Sequence, residues 1–209
     1  MTDTEEERWN AYLHSGTNVL RNKDGYYQPR SLVSYGKIYT LTRVAALPEL
    51  DFRQGLLVDH VKAIHFHLFQ DCYEWAGEFR NVDMGKDNPF HPEGVSVFCH
   101  HEDIPDMVAE AQTFVSYLLE EAPNLSMEDK ITMLAQIHST LNYAHPFREG
   151  NGRSTRVFMD AIAEQAGIDL NFESITSRVI EFASQLSMRH PNYADHRVFQ
   201  KMYARIAAL

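Results

Sequence analysis

From Tyr35 onward, apolar residues recur at three- and four-residue spacing in every long segment but one. That spacing is the signature of amphipathic helices, so it commits most of the chain to helix-on-helix packing. Ile38, Leu41 and Ala45 form one such stripe before Pro48, and Leu57, Val61, Ile64 and Leu68 form a second between Arg53 and Gln70. Met107, Val108, Ala111, Val115 and Leu118 mark a third helix over Ile104–Glu121. Ser126 followed by Glu128 and Asp129 reads as an N-cap with acidic residues at the positive end of a helix dipole. The helix it opens carries Ile131, Leu134, His138 and Leu141 and should stop before Pro146. Further helices are expected over Arg153–Gln165, with Gly167 as terminator, and near Glu173–Met188 and Asp195–Ala208.

The exception is Trp75–Phe98. Gly77, Gly85, Pro89, Pro92 and Gly94 break any helix there, while Glu78–Met84 and Val95–Phe98 hold short alternating runs. This stretch reads as a β-hairpin flap, about residues 78–98, projecting from the helices. Residues 1–34 are polar and turn-rich, with Gly16, Gly25 and Pro29. The expected fold class is mostly α, a helical bundle with one small β-hairpin flap, in a single domain spanning 1–209.

Composition narrows the function. A net charge of −10 argues against direct nucleic-acid gripping, which needs a basic face, while leaving room for a local nucleotide pocket. Cys72 and Cys99 are too few for a disulfide framework and read as reduced thiols. The acidic N-terminus is no secretory or transit leader, and no apolar run approaches the roughly 20 residues of a membrane span. A soluble cytoplasmic protein with no membrane partner is expected.

The chemistry is concentrated in His145-Pro146-Phe147-Arg148-Glu149-Gly150-Asn151-Gly152-Arg153-Ser154-Thr155-Arg156. Gly150 and Gly152 flank Asn151 where a helix begins, which lets backbone N–H groups converge as an anion nest at a positive helix end. The spacing is that of neither a Walker A loop nor a Rossmann fingerprint. Arg153 and Arg156, at i and i+3, can direct two guanidiniums to one side of a polyphosphate. Glu149 is a carboxylate suited to Mg²⁺ beside phosphate, and His145 titrates near neutrality and suits a general base. Taken singly, each feature has a plain structural reading: a turn for Gly-Asn-Gly, an Arg156–Asp160 pair, a Glu149–Arg148 pair, a core anchor for Phe147. Their coincidence within the active-site loop, residues 145–153, and the helix after it is what carries the functional reading.

The segment His-Pro-Phe-x-Glu-Gly-Asn-Gly-Arg-x-x-Arg resembles the active-site motif of Fic-domain proteins at every defining position. Val19-Leu20-Arg21-Asn22-Lys23 is similar to that family's N-terminal segment, and Tyr73-Glu74-Trp75-Ala76-Gly77-Glu78-x-Arg80 to the stretch leading into its flap. The likeness runs from about Tyr12 to Gln165. It implies a helical core with a hairpin flap and transfer of AMP from ATP, with Mg²⁺, to a Ser, Thr or Tyr hydroxyl of a target protein. It further implies His145 as base and Glu149 as the Mg²⁺ ligand. Gly150, Asn151 and Gly152 would cradle the α-phosphate, with Arg153 and Arg156 on the β- and γ-phosphates. The flap would hold the target by strand addition, with Lys86 or Phe90 touching nucleotide or target.

A subgroup resembling the toxin Doc transfers a phosphoryl group instead and carries Lys where Gly152 stands, so Gly152 favours AMP transfer. Many members are restrained by a helix bearing Ser/Thr-x-x-x-Glu-Gly/Asn, whose Glu captures the second motif arginine. Thr2…Glu6 is followed by Glu7 and Ser177…Glu181 by Phe182, so neither completes it. Inhibition by a separate small antitoxin is therefore expected, with bacterial DNA topoisomerases among the targets that the resemblance implies.

Two rivals come from other classes. A metal hydrolase would draw on the 11 histidines, but His65 and His67, at i and i+2, face apart, and His91 with Cys99-His100-His101 follows no recognised ligand spacing. A non-catalytic binding module would not need His145, Glu149, Asn151, Arg153 and Arg156 intact. His138, on an apolar helix face, is expected to be a core histidine bonded to backbone.

Overall fold

The computed structural model of the chain describes residues 3–47, 54, 57–190 and 194–207, leaving aside the side chains of residues 33–35. Among the described residues, eight α-helices and one hairpin follow in chain order: α1 (Glu5–Ala11), α2 (Pro29–Val44), α3 (Leu57–Phe69), β1 (Gly85–Asp87), β2 (Val95–Val97), α4 (Ile104–Glu121), α5 (Met127–Ala144), α6 (Asn151–Gln165), α7 (Ser177–Ser187) and α8 (Arg197–Ile206). The architecture is mostly α with one two-stranded antiparallel sheet, as the periodicity and the hairpin pattern require.

α5 lies at the centre, packed by α4, α6 and α8. Its Leu134, Ala135 and Ile137 are sealed from solvent, facing Ile104, Val108, Ala111, Val115 and Leu118 of α4 and Phe199 and Tyr203 of α8. Each large apolar side chain removed from water in this way contributes roughly 1.5–3 kcal/mol before entropy is counted. α3 closes the other side against α6 through Ile64, Leu68, Phe158 and Ile162.

Several expectations are corrected in detail. α1 lies inside the stretch that reads as turn-rich, because Thr4 caps it. The Glu7 amide donates to the Thr4 hydroxyl at 3.2 Å and the Thr4 amide donates to the Glu7 carboxylate at 2.7 Å. α2 begins at Pro29, whose missing N–H is harmless in a first turn, and its Ile38 and Leu41 are 59% and 71% exposed. The stripe that signals α2 is thus not its buried face; Gly36 and Thr40 are buried instead. The expected start of the next helix at Arg53 and the stop at Pro48 lie outside the described residues. α6 starts at Asn151 rather than Arg153, and α7 starts at Ser177 after a short 3-10 turn, Phe172–Ser174. α8 starts at Arg197, because Asp195 is spent as a buried carboxylate between Arg189 and Arg197, both at 2.8 Å.

The flap is shorter than the pattern implies. Only Gly85–Asp87 and Val95–Val97 pair, with Lys86 opposite Ser96. Glu78–Met84 makes no strand among the described residues, because Arg80 at its centre is buried with its guanidinium bonded to backbone carbonyls. The hairpin is pinned from below. Asn88 donates to the Ser96 hydroxyl at 2.7 Å and the Gln185 carbonyl at 2.8 Å, and the Ser96 hydroxyl donates to the Met188 carbonyl at 3.1 Å. These bonds tie the hairpin to carbonyls at the end of α7, where helix carbonyls are left open to outside donors.

Candidate active site

The site is a loop strung between the C-terminus of α5 and the N-terminus of α6. His145 ends α5 in the left-handed region, at φ 41°, an uncommon conformation for a residue with a side chain. Arg80 holds that bend. Its guanidinium donates to the carbonyls of His145 (2.9 Å), Val82 (2.7 Å), Cys99 (2.6 Å) and Ala144 (3.1 Å), and its backbone N–H donates to Pro146 (2.8 Å). Five carbonyl contacts from one residue fix where the imidazole of His145 stands.

The middle of the loop is anchored by Phe147, buried and stacked on His65 at 3.7 Å between ring centroids. The Gly77 amide donates to His65 Nδ1 at 2.9 Å, so in the neutral ring Nε2 carries the proton and donates to the Glu149 carbonyl at 3.0 Å. Burial pushes the His65 pKa down to about 4, which keeps that tautomer in place at neutral pH. Asn151 closes the loop on itself. Its side-chain oxygen accepts from the Phe147 amide at 2.8 Å and its Nδ2 donates to the Phe147 carbonyl at 2.6 Å. The side chain of Asn151 is therefore occupied by the loop, and what it presents for an anion is its backbone N–H.

Gly150 lies at φ 88° against the Phe69 ring, where a Cβ would stand 2.5 Å from ring carbons. Only glycine allows this approach. Beyond it, the Asn151 and Gly152 N–H groups make no hydrogen bond among the described residues, while the next two amides bond to the Gly150 carbonyl. Free amides at a helix N-terminus are an anion site in waiting. Gly152 has open space where a Cβ would project.

The charged groups are arranged less uniformly than their spacing suggests. Arg153 is half-buried: Nη2 donates to Glu149 Oε2 at 2.6 Å, Nη1 to the Thr40 hydroxyl at 3.2 Å, and the guanidinium lies 4.5 Å over the Phe69 ring. Arg156 is exposed and makes no hydrogen bond or ion pair among the described residues, so the pairing with Asp160 that spacing allows is not formed. Arg148 does not neutralise Glu149 by contact; it lies 4.2 Å over Trp9 and 5.8 Å over Tyr12, which ties α1 to the loop.

His145 is buried and stacked face to face on Phe98 at 3.8 Å. Burial first, then the charges of Lys86 and Arg80, hold its pKa well below the ordinary histidine value, against a hydrogen bond to the Asn142 backbone. Its ring is therefore neutral and able to accept a proton at physiological pH. Lys86 is exposed on the flap, yet the protein atoms packed around it lower its pKa by desolvation, opposed by Glu149 and Glu181. Lys86 thus belongs electrostatically to the site, with both His145 and Glu149 in its field. Phe90 is turned to the other side, edge-on to Phe182 of α7 at 5.1 Å.

Glu149 is the loop's candidate for Mg²⁺. It is half-exposed, only one of its oxygens is engaged, and it stands beside free amides that would carry the phosphates. A hard-oxygen donor next to a phosphate site is what Mg²⁺ takes. A separate crevice of about 550 Å³, bordered by Arg8, Tyr12, Arg21, Glu74, Trp75 and Asn81, holds none of the loop's charged residues.

Residues 55–163, more than half the chain, match the Fic/DOC family. The chain belongs to the Fic/DOC family. Its reaction class is nucleotidyl transfer. Probable protein adenylyltransferase Fic of Salmonella typhimurium is 32% identical over 203 residues, covering 96% of each chain. Among solved structures, the N-terminal Fic domain of a Bartonella effector protein from Bartonella sp. AR 15-3 superposes with a TM-score of 0.81 at 25% identity, over 95% of this chain and 91% of that one. The BepC protein of Bartonella tribocorum, solved with bound AMPPNP, shares the fold with a TM-score of 0.76 at 22% identity, over 94% and 96%.

Three contributors to this Fic site carry no role in the reading from sequence: Arg80, His65 and Thr40. His65 had a signal, since it falls on the apolar stripe one turn after Val61 and one before Leu68, where a histidine is buried and must find backbone partners. Arg80 and Thr40 gave none, because their partners are carbonyls and side chains far away in the chain.

Proposed function

We propose that the protein transfers AMP from ATP to a hydroxyl side chain of a target protein. The observation that carries this reading is the loop itself: a neutral, buried His145 at one end and unpaired helix N–H groups at the other, locked together by Arg80 and Asn151. His145 accepts the proton of the target hydroxyl as its oxygen attacks the α-phosphorus. The bond from that phosphorus to the bridging oxygen breaks, and pyrophosphate leaves. The Asn151 and Gly152 amides, with Gly150 allowing the curl, hold the α-phosphate. Arg153 and Arg156 balance charge on the β- and γ-phosphates. Mg²⁺ held by Glu149 would neutralise phosphate charge as it develops. The exposed edge of the flap hairpin offers main-chain groups to an extended target segment, and Lys86 stands where target and nucleotide meet.

A small inhibitory protein with a carboxylate for Arg156 is the regulatory partner in this reading, which places the chain among toxin-type members acting in the cytoplasm. Bacterial DNA topoisomerase subunits are the target class to try first. Arg156 is exposed and unpaired among the described residues, and Glu181 of α7 acts on Lys86 instead.

The test is incubation with ATP radiolabelled at the α-phosphate, Mg²⁺ and a bacterial lysate, beside His145→Ala. Label on protein that falls by about 10²–10⁴-fold in the variant is expected from loss of a general base. Label from the γ-phosphate alone would move the reaction to phosphoryl transfer.

A further inference from the structure

The two feet of the flap carry a second cluster of chemistry-bearing side chains that AMP transfer does not use. Asp83 stands just before β1, and His100 and His101 follow β2, so the cluster spans the whole hairpin excursion, residues 84–99. His101 Nδ1 is 3.0 Å from Asp83 Oδ1, and His100 Nε2 is 3.3 Å from Asp83 Oδ2. One ligand atom from each of the three residues lies within 4.8 Å of the other two. A tetrahedral dication with bonds of about 2.0–2.1 Å sets its ligand atoms roughly 3.3 Å apart. His101 Nδ1 and His100 Nε2 each already lie near that spacing from Asp83, one against each carboxylate oxygen, and the half-exposed His100 ring would move to bring all three residues onto one ion.

The surroundings favour a cation. The Glu102 backbone N–H donates to His100 Nδ1 at 3.4 Å and orients the ring, and Glu102 Oε2, 3.9 Å from the same nitrogen, adds negative charge beside it. Asp103 follows in the same acidic turn. The opposing charge is Arg80, whose Nη1 is 3.9 Å from Asp83 Oδ1 and already bonded to the Val82 carbonyl. The donor set, two imidazoles and one carboxylate with room for water, suits a borderline transition metal such as Zn²⁺ and is poor for Mg²⁺, which wants oxygens. Neither Cys99 nor His91 takes part; the Cys99 thiol is buried on the Ala144 carbonyl and His91 bonds within the flap turn.

We propose that Asp83, His100 and His101 form a Zn²⁺-class site that ties the two feet of the flap together, separate from the Mg²⁺ expected at Glu149. The full chain, stripped with chelator and kept in excess Mg²⁺, is titrated with Zn²⁺ by calorimetry. One equivalent should bind, with affinity falling at least tenfold in Asp83→Asn and in His100→Ala and unchanged in the control His14→Ala. Asp83→Asn keeps a carbonyl oxygen for the His101 amide, so the flap foot stays folded. Co²⁺ in place of Zn²⁺ should give the intense visible absorption of tetrahedral coordination, and hydrogen exchange across residues 85–97 should slow on metal binding. Absence of stoichiometric binding, equal loss in His14→Ala, or binding that leaves flap exchange unchanged would each overturn the proposal.

Discussion

The Arg80 guanidinium meets the backbone carbonyl of His145 rather than its ring, and that contact explains how a histidine can stand in a left-handed bend. The buried guanidinium gathers carbonyls from the Arg80–Val82 segment, the foot of β2 and the end of α5, so its removal would leave the carbonyls of Val82, Cys99 and His145 without that partner and the Ala144 carbonyl with only the Cys99 thiol. His145 is thereby fixed where burial, Lys86 and Arg80 all disfavour its charged form. A base must be neutral in the free enzyme, so the acid limb of kcat/KM for AMP transfer should lie below pH 6.5, the ordinary histidine value. Lys86→Ala removes one of those positive neighbours and should shift the limb upward in pH. An acid limb at or above pH 7 in the folded wild type would mean that His145 is not buried as described.

At the scale of elements, the loop works because one glycine is forced and the other is not. Gly150 has both a positive φ and no space for a Cβ, whereas Gly152 has helical backbone and open space. Gly150→Ala should therefore destabilise the fold by about 1–3 kcal/mol, through backbone strain and displacement of Phe69. Gly152→Ala should leave stability unchanged or raise it by up to about 1 kcal/mol, through reduced chain entropy in a helix, while lowering AMP transfer by crowding the free amides. Denaturant titration of both variants separates the two effects. Equal stability losses would contradict the difference in their surroundings.

Among the described residues, burial lowers the pKa of three histidines: His65 in the loop support, His138 against Tyr203, and His145. His138 is a core histidine, as its helix face implies, but its Nδ1 partner is the Tyr203 hydroxyl at 2.7 Å rather than backbone. Burial lowers the pKa of His65 to about 4 and that of His138 to about 3. Their folded values lie below the unfolded value near 6.5, so the unfolded chain binds more protons as pH falls through that window. The stability they permit is complete above pH 6.5 and is lost on the way down to their folded pKa values. Each should remove about 2 kcal/mol between pH 7.5 and 5. Asp195, lowered to about 2 first by its bond to Arg197, contributes above its ordinary value near 4 and is lost only below that, so the two windows separate. Urea unfolding at pH 7.5 and pH 5 tests this, with His138→Gln expected to flatten the dependence; an unchanged midpoint in the wild type would contradict neutral burial.

The sequence by itself determined the helical class, the position of the hairpin and the twelve-residue segment of the site, because apolar period and glycine placement are local and each helix must bury its stripe. It also marked the Fic motif, whose donors and charges lie in one continuous run. Only the tertiary structure decided the rest. It placed Arg80 under His145, stacked His65 on Phe147, turned the Asn151 amide inward, and set Arg153 against Thr40 and Glu149 while leaving Arg156 in solvent. It gave α1 its contact with Arg148 and left the α2 stripe exposed. Apart from the Asn151–Phe147 and Arg153–Glu149 bonds, which join residues four apart, those outcomes depend on partners tens of residues away, and a polar side chain chooses its bond by which backbone groups the fold leaves unsatisfied. No local pattern carries that information.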